Sequence, residues 1–317
     1  MASAPVAAAA PEAAPAPQAR PLARAPAPRA PDPIAAYAQP ATLDLPADAR
    51  LRLLGAIVVA AEHPVWGGLS GVAVSPDGAR AVFLSDRAAL FRATLERRDG
   101  ALTGLSALRA VPIRDASGAT TPSGRRDPEA LALRADGALA IAFETDNAIW
   151  LHPEIGAPGA PIPLSAQMAE LPVNGGIEAL AFDAEGGLWA MSETPANGGF
   201  ALFHRAAGAS DWRAETLALP GPHRPTGLDI GPDGAFYLTR RDFGFLRGFR
   251  TRIERLTRTE AGWRVEPLLA LDASPRDNIE GIAVWRDEAG GLRLLVVADD
   301  NFNAVQRNLI AEFLVSP

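Results

Sequence analysis

The sequence contains no cysteine and no lysine. Without cysteine, a disulfide framework, a zinc-thiolate site and a thiol nucleophile are all excluded. Because every one of the 30 basic residues is an arginine and the acids number 37, the net charge is −7. That balance argues against a protein that wraps nucleic acid, and it is compatible with one that holds a cation. Aromatic residues make up only 6% of the chain, and no apolar run approaches the ~20 residues needed for a transmembrane segment.

The first part of the chain, residues 1–48, is rich in alanine and proline. It has no hydrophobic period and few large apolar groups to offset the entropy of ordering it, so we predict a disordered tail. Val6–Ala10 is short and follows no basic residue, so it is a poor signal peptide as written. The composition is common beside exported domains, so a lost leader stays open.

From residue 49 to 317 the sequence predicts an all-β domain of short strands separated by turns. A turn motif that ends in glycine recurs roughly every fifty residues, which is typical of a β-propeller with four strands per blade. Its glycines are Gly78, Gly137, Gly186, Gly234 and, more loosely, Gly290. We count five blades, with six as the alternative. A β-sandwich also has short strands, but it gives no reason for a fifty-residue repeat.

The last repeat ends after its third strand. Leu51–Ala60 resembles the outer strands of the other repeats and is available at the opposite end of the chain. We therefore predict that this N-terminal strand closes the ring, which would cover the exposed edge of the last blade.

Acidic residues recur at equivalent places in the repeats. One set enters the inner strands: Ser70, Glu129, Glu178, Thr226 and Glu280. The other set ends the second strands: Asp86, Glu144, Glu193, Arg240 and Asp299. Since both connections emerge at one face of a propeller, we expect two rings of side chains at one mouth of the central channel. Asp242, Asn278 and Asp300 lie beside them in the sequence.

Carboxylates gathered so closely would resist ionisation without a compensating cation or arginine. An oxygen-rich cage with no thiolate suits Ca²⁺ best, followed by Mg²⁺ or Mn²⁺. Alternatively, each acid caps a strand end or pairs with an arginine. Five arginines flank the predicted mouth and either hold an anionic substrate or neutralise the acids: Arg87, Arg126, Arg224, Arg240 and Arg241. Ser70 is not in a nucleophile elbow, and His223 is either a general base or a turn residue.

Several motifs resemble a bacterial phytase-like family described as having esterase-like activity of phytase. They are Asp127–Leu131, Gly176–Leu180, Arg241–Phe243, Asp277–Gly281 and Asp299–Phe302. The resemblance spans about residues 50–316 and implies a propeller and a phosphoester or carboxylic-ester hydrolase that acts outside the cytoplasm. Two features depart from it. The family often has an acid where this chain has Arg240, and the Asp-x-Asp-Asp-Pro-Ala signature of alkaline propeller phytases is absent, which argues against phytate as the substrate.

Two functions follow from these observations. The first is a metal-dependent hydrolase of phosphoesters or carboxylic esters. Its predicted metal ligands are Glu129, Glu178, Asn278, Glu280, Asp299 and Asp300. Its predicted proton acceptors are Asp86, Glu144 and Glu193. Its predicted substrate-binding residues are Ser70, Arg126, Arg240, Arg241 and Asp242. The second is a non-catalytic propeller that binds a ligand or partner, with Ca²⁺ serving the structure alone. We expect a monomer in the periplasm or secreted, with the cytoplasm as the alternative.

Overall fold

The protein is a five-bladed β-propeller, seen in a computed structural model that describes residues 32–121, 127–274 and 276–316. Five antiparallel sheets are arranged in a ring, and their strands follow one another in sequence from the axis outward. The all-β prediction and the count of five blades are confirmed, and the six-blade alternative is wrong. None of the helical structure in the described residues is long or apolar enough to span a lipid bilayer.

Four blades contain four strands each, with the inner strand first. Blade 1 comprises β3 (Leu69–Val74), β4 (Arg80–Ser85), β5 (Ala89–Arg98) and β6 (Ala101–Pro112). Blade 2 comprises β7 (Pro128–Leu133), β8 (Leu139–Phe143), β9 (Ala148–His152) and β10 (Ala160–Pro161). Blade 3 comprises β11 (Ile177–Phe182), β12 (Leu188–Ala196), β13 (Gly199–Arg205) and β14 (Arg213–Leu217). Blade 4 comprises β15 (Arg224–Ile230), β16 (Phe236–Gly244), β17 (Gly248–Thr259) and β18 (Gly262–Ser274).

The outer strand of blade 2 is much shorter than those of blades 1, 3 and 4. β10 has only two residues and is followed by the single helical turn α1 (Ala166–Ala169), which Ser165 caps. Pro163, two residues after the end of β10, cannot donate to a β ladder.

Blade 5 joins the two ends of the described chain. It runs from β19 (Asn278–Arg286) through β20 (Leu292–Asp299) and β21 (Leu309–Val315) to β2 (Leu51–Ala61) and β1 (Ala36–Pro40). The pairing of β2 with β21 is antiparallel and extends from Leu51 opposite Val315 to Val58 opposite Leu309. The predicted N-terminal closure is therefore confirmed. Ala36–Pro40, which the sequence analysis assigned to the tail, forms a fifth strand beside β2.

The hydrophobic core consists of five layers, each between two neighbouring blades. Between blades 1 and 2, for example, Leu84 and Leu90 pack with Ile141 and Phe143. Both faces of a blade are thus covered, and β8 is buried along its whole length. This explains why the inner and second strands are continuous apolar runs and do not alternate.

Candidate functional site

A β-bulge occurs at the same position in all five inner strands. In each blade, the register against the second strand shifts around one residue that has no partner in the ladder. These residues are Ser70, Glu129, Glu178, Thr226 and Glu280, the first set that the sequence analysis singled out. A bulge bends its strand and redirects the extra side chain, so the repeated bulge turns one residue per blade toward the axis.

The residue after each bulge is small because the inner strands approach closely at the hub. A Cβ added to Gly227 would lie 2.2 Å from the backbone oxygen of Glu280, and one added to Gly281 would lie 2.9 Å from the backbone nitrogen of Val72. Directly below the bulges, the remaining space between the strands is only about 10 Å³. The bulge residues therefore stand on a nearly closed floor rather than in an open channel.

A second ring of side chains lies one step further out, at the ends of the second strands. The backbone nitrogens of Asp86, Glu144 and Glu193 donate to the inner strands over 2.8–3.0 Å, and Asp299 pairs with Asn278 in the equivalent place. In blade 4 the equivalent pair is Arg224 and Arg241. The ring therefore contains Arg241 and not Arg240, and the predicted register of this blade was wrong by one residue.

The two rings enclose a cavity of about 250 Å³, which we call the acidic mouth. No aliphatic or aromatic side chain lines it, and its charged groups are eight carboxylates and one arginine. Its lining residues are Gly68, Ser70, Asp86, Asp127, Glu129, Glu144, Glu178, Glu193, Arg241, Glu280, Asp299 and Asn301.

One side of the acidic mouth has the geometry of a cation site. Oxygens from Asp127, Glu129 and Glu144 lie within 4.8 Å of one another. Nearby, the Oδ1 atom of Asp86 is buried and lacks a hydrogen-bond partner. The charge of Asp127 contributes to the raised pKa of Asp86, and both carboxylates line the same cavity. An all-carboxylate donor set with an unsatisfied buried oxygen fits a hard divalent cation such as Ca²⁺, Mg²⁺ or Mn²⁺.

The opposite side of the acidic mouth is neutralised by arginine. Arg241 forms a hydrogen-bonded ion pair with Glu280 and lies 3.8 Å from Glu193. Arg224 reaches Glu193 from outside, with 3.5 Å between Nη1 and Oε2. Both arginines belong to blade 4, and they pair with Glu193 of blade 3 and Glu280 of blade 5. The uncompensated carboxylates lie toward blades 1 and 2.

Asn278 connects the groups on the neutralised side. Its amide oxygen accepts a 2.6 Å hydrogen bond from Arg241, and its amide nitrogen donates to Glu280 over 2.9 Å and to Asp299 over 3.2 Å. Because both ends of the amide are used and the residue is only 1% exposed, Asn278 orients its neighbours. Its predicted place among the metal ligands does not match these contacts.

Burial, followed by the charge of neighbouring acids, raises the pKa values of several carboxyl groups in the acidic mouth. Burial raises the pKa of Asp86 to about 7, with contributions from the charges of Asp299 and Asp127. Burial also raises the pKa of Asp299 to about 7, and the charge of Glu280 adds to it. The pKa values of Glu129 and Glu178 lie well above the usual range because both side chains are desolvated and face other carboxylates. Without a cation, these shifts favour the protonated form of the four carboxyl groups.

Three predicted site residues lie away from the acidic mouth. Arg240 is 1% exposed and makes a bidentate ion pair with Glu254, with separations of 2.7 and 2.8 Å. Asp242 pairs with Arg250. The carboxylate of Asp300 accepts from the backbone nitrogens of Gly68 and Phe302 and from the Asn308 amide, so it holds the loop instead. Alternation along β16 explains the first case, since only every second side chain of a strand faces the same way.

Two other predictions concern the substrate side of the site. Ser70 lines the acidic mouth, but its hydroxyl donates a 2.7 Å hydrogen bond to the Pro128 carbonyl, which does not suit an activated nucleophile. His223 is buried and does not line the cavity, and its pKa is lowered by burial and by nearby arginines. Arg126 lies outside the described residues.

Sequence reasoning gave too little weight to Asp127 and Arg224. Both stand two residues before a bulge, at equivalent places in blades 2 and 4. Because side chains alternate along a strand, a residue two positions before the bulge residue lies on the same face of the strand.

Residues 64–302 match the profile of a protein family described as Phytase-like: Esterase-like activity of phytase. The chain belongs to this family. No curated protein matches it. The expected resemblance is therefore confirmed, whereas the family description alone assigns no substrate to this member.

Solved structures with a similar arrangement share little sequence with this phytase-like protein. One is Kuenenia stuttgartiensis hydrazine synthase, at 15% identity and a TM-score of 0.40, with 74% of this chain and 77% of that chain covered. Another is streptogramin B lyase, at 11% identity and a TM-score of 0.44, covering 88% and 98%. A third is U3-55K, at 11% identity and a TM-score of 0.40, covering 86% and 100%.

Proposed function

We propose that the protein is a metal-dependent hydrolase of phosphoesters or carboxylic esters, with its site in the acidic mouth. The observation that supports this most directly is the division of one cavity into two parts. Uncompensated carboxylates of blades 1 and 2 form one part, and Arg241 of blade 4 bounds the other. A cation on the first side and the guanidinium group of Arg241 on the second would hold an anionic or polarised ester from two directions.

Asp127, Glu129 and Glu144 are the residues that would hold the cation, since their oxygens already converge. Ca²⁺ is the best match to such a set, followed by Mg²⁺ and Mn²⁺. When bound, such an ion polarises the scissile group and lowers the pKa of a coordinated water. It also offsets the mutual repulsion of the surrounding carboxylates, which otherwise keeps their pKa values high.

The remaining residues supply charge and proton transfer. Arg241 is fixed by Asn278 and Glu280 at the edge of the cavity, where its guanidinium can bind an anionic oxygen. Asp86, with a pKa of about 7 and an unpartnered buried oxygen, is suited to accept a proton from an attacking water. Glu193 is held by two arginines and is a weaker candidate for that role.

The experiment is a panel of aryl phosphates and aryl esters assayed with chelator and after return of Ca²⁺, Mg²⁺ or Mn²⁺. We expect turnover that chelation abolishes and a cation restores. Glu129→Gln should lose the turnover that the cation restores, and Asp86→Asn should lower kcat by about 10²–10⁴-fold. Asp272→Asn, which removes an exposed carboxylate away from the cavity, is the matched control. Turnover that ignores chelator would contradict the proposal.

A second function is favoured by the contacts of Ser70 and His223. The hydroxyl of Ser70 is committed to a backbone carbonyl, and His223 does not line the cavity. A propeller that binds a ligand, with the cation serving stability alone, fits these contacts of the two residues. A Ca²⁺-dependent rise in melting temperature with no turnover on the panel would favour it.

We place the protein outside the cytoplasm as part of the same proposal. Carboxylate sites of moderate Ca²⁺ affinity are filled where the ion is abundant, as in extracellular modules. Fractionation of cells that express the natural gene, followed by detection of the protein, tests this placement.

A further inference from the structure

Exposed apolar side chains are concentrated on one face of the propeller. In the part of the chain that the structure describes, six large apolar side chains are more than half exposed. Five of them lie at the face that holds the acidic mouth, four on loops and Phe243 near the end of β16: Val173, Phe243, Phe245, Leu246 and Val305. These loops belong to blades 3, 4 and 5, which are consecutive in the ring. The sixth, Tyr37, lies on the outermost strand of blade 5.

One of these loops is the three-residue turn of the hairpin between β16 and β17, residues 245–247. At its end Phe245 is 92% exposed and Leu246 is 93% exposed. The hairpin does not depend on them, because Gly244 pairs with Gly248 and the rings of Phe243 and Phe249 pack 4.9 Å apart at its base. Such turns usually carry Gly, Asn or Asp, so two adjacent large apolar residues at the tip have no explanation in the fold.

We propose that this face of the protein docks on a phospholipid bilayer, with Phe245 and Leu246 inserting at the interface. This goes beyond the proposed hydrolase and does not depend on it.

The shape of the face favours a lipid surface over a protein partner. A protein interface of standard size covers about 800 Å² on each side. On this face it would have to seal the acidic mouth and desolvate carboxylates that are already crowded, which is costly. Insertion of the hairpin tip alone does not require the cavity to be sealed or its carboxylates to be desolvated. Interfacial anchors of this kind combine aromatic and aliphatic groups with basic residues.

The charge of the tip is complementary to phospholipid. Arg247 follows Leu246 directly and is exposed, and residues 243–249 contain no acid although the whole chain has a charge of −7. A basic residue beside inserted apolar side chains reaches the phosphates of the headgroups. Acidic phospholipid should therefore bind more strongly than zwitterionic phospholipid.

Flotation of the full chain with vesicles tests the proposal, using phosphatidylcholine alone and with phosphatidylglycerol. We expect binding that the double substitution Phe245→Ser with Leu246→Ser lowers at least about tenfold. Tyr37→Ser is the matched control and should bind like the natural protein. Arg247→Glu should weaken binding to the acidic vesicles selectively.

The absence of cysteine allows a second measurement at a single position. Phe245→Cys can be labelled with an environment-sensitive dye, whose emission should shift to shorter wavelength when vesicles are added. The same dye on Tyr37→Cys should not respond. Natural protein that fails to float with either vesicle, or a double variant that floats equally well, would overturn the proposal. So would concentration-dependent self-association that the double variant loses without any vesicle binding.

Hydrolysis of soluble substrates separates this proposal from the previous one. If the double variant keeps full turnover in solution and loses only vesicle binding, both proposals stand. Vesicle binding without turnover leaves the docking surface intact and removes the hydrolase. Turnover without vesicle binding supports the hydrolase and removes the docking surface.

Discussion

At the scale of single residues, Arg241 determines the electrostatic character of the acidic mouth. It replaces the acid that blades 1, 2, 3 and 5 present at the equivalent position. Its guanidinium pairs with Glu280 and faces Glu193, so the cavity has one compensated and one uncompensated side. A ring of five acids would have no such polarity, and it would offer a substrate no fixed positive charge.

The raised pKa values predict how stability changes with pH. The pKa values of Asp86 and Asp299 are about 7 in the folded protein and 3.8 in a model peptide. Between these values the folded state binds more protons than the unfolded state, so the free energy of unfolding falls as pH rises through 7. Without a cation we expect the melting temperature to drop by several degrees between pH 5.5 and 8. Ca²⁺ should reverse the drop, and most strongly at the higher pH.

Asp86→Asn provides the comparison for this pH effect. Removing one buried carboxylate should flatten the decline and make the variant more stable than the natural protein at pH 8 in chelator. Differential scanning calorimetry across the pH series measures both proteins. Parallel curves for the two would show that Asp86 does not carry the effect.

At the scale of secondary-structure elements, the repeated bulge is what builds the site. Each inner strand has one unpaired residue, followed by a glycine or alanine that lets the next strand approach. The bulge supplies the direction of the side chain, and the small residue supplies the short distance between blades. A propeller with regular inner strands would send these side chains into the neighbouring blades.

Gly227→Ala should test this arrangement. The added methyl would lie 2.2 Å from the Glu280 backbone oxygen and 2.8 Å from the Thr239 hydroxyl, so β15 and β19 must separate. We expect a loss of about 1–3 kcal/mol in the free energy of unfolding, together with weaker cation binding. Gly104→Ala in β6 is the control, since its nearest neighbours are 3.8 Å away. Equal stability of the two variants in urea denaturation would contradict the close packing at the hub.

At the scale of the whole molecule, the ring is held shut by strands from its two ends. β2 covers the edge of β21, and buried Glu312 of β21 pairs with Arg97 of blade 1 over 2.9 Å. Blade 5 is thereby tied both to the N-terminal strand and to its neighbour. Closure of this kind leaves β21 without an exposed edge.

Truncation should reveal the contribution of the closing strand. A chain that starts at Asp32 retains β1 and β2, whereas one that starts at Glu62 lacks both and leaves β21 unpaired. We expect the first to be soluble and to melt cooperatively, and the second to aggregate unless a peptide of residues 36–61 is added. Gel filtration and circular dichroism measure the outcome. A monomeric, cooperatively folded chain from Glu62 would show that closure is dispensable.

The repeat of roughly fifty residues was sufficient to predict five blades, the closing strand and the gathering of Glu129, Glu178 and Glu280 at one mouth. Periodicity specifies which residues occupy equivalent places, and equivalent places in a closed ring must converge. The assignment of Arg240 to the mouth failed because a strand of alternating side chains changes face with a shift of a single residue. The repeat pattern does not specify the strand register, which decides whether Arg240 or Arg241 faces the mouth.

Only the tertiary structure divided the acids into an arginine-paired group and the cluster of Asp127, Glu129 and Glu144. Pairing depends on distances of a few ångströms between side chains far apart in the chain, which the repeat period does not specify. The same holds for Asp300, whose neighbours in sequence suggested a ligand while its contacts make it a loop anchor. The sequence alone determined the five-bladed ring and the acidic character of its mouth. Packing at the hub decided which carboxylates pair with an arginine and which converge without one.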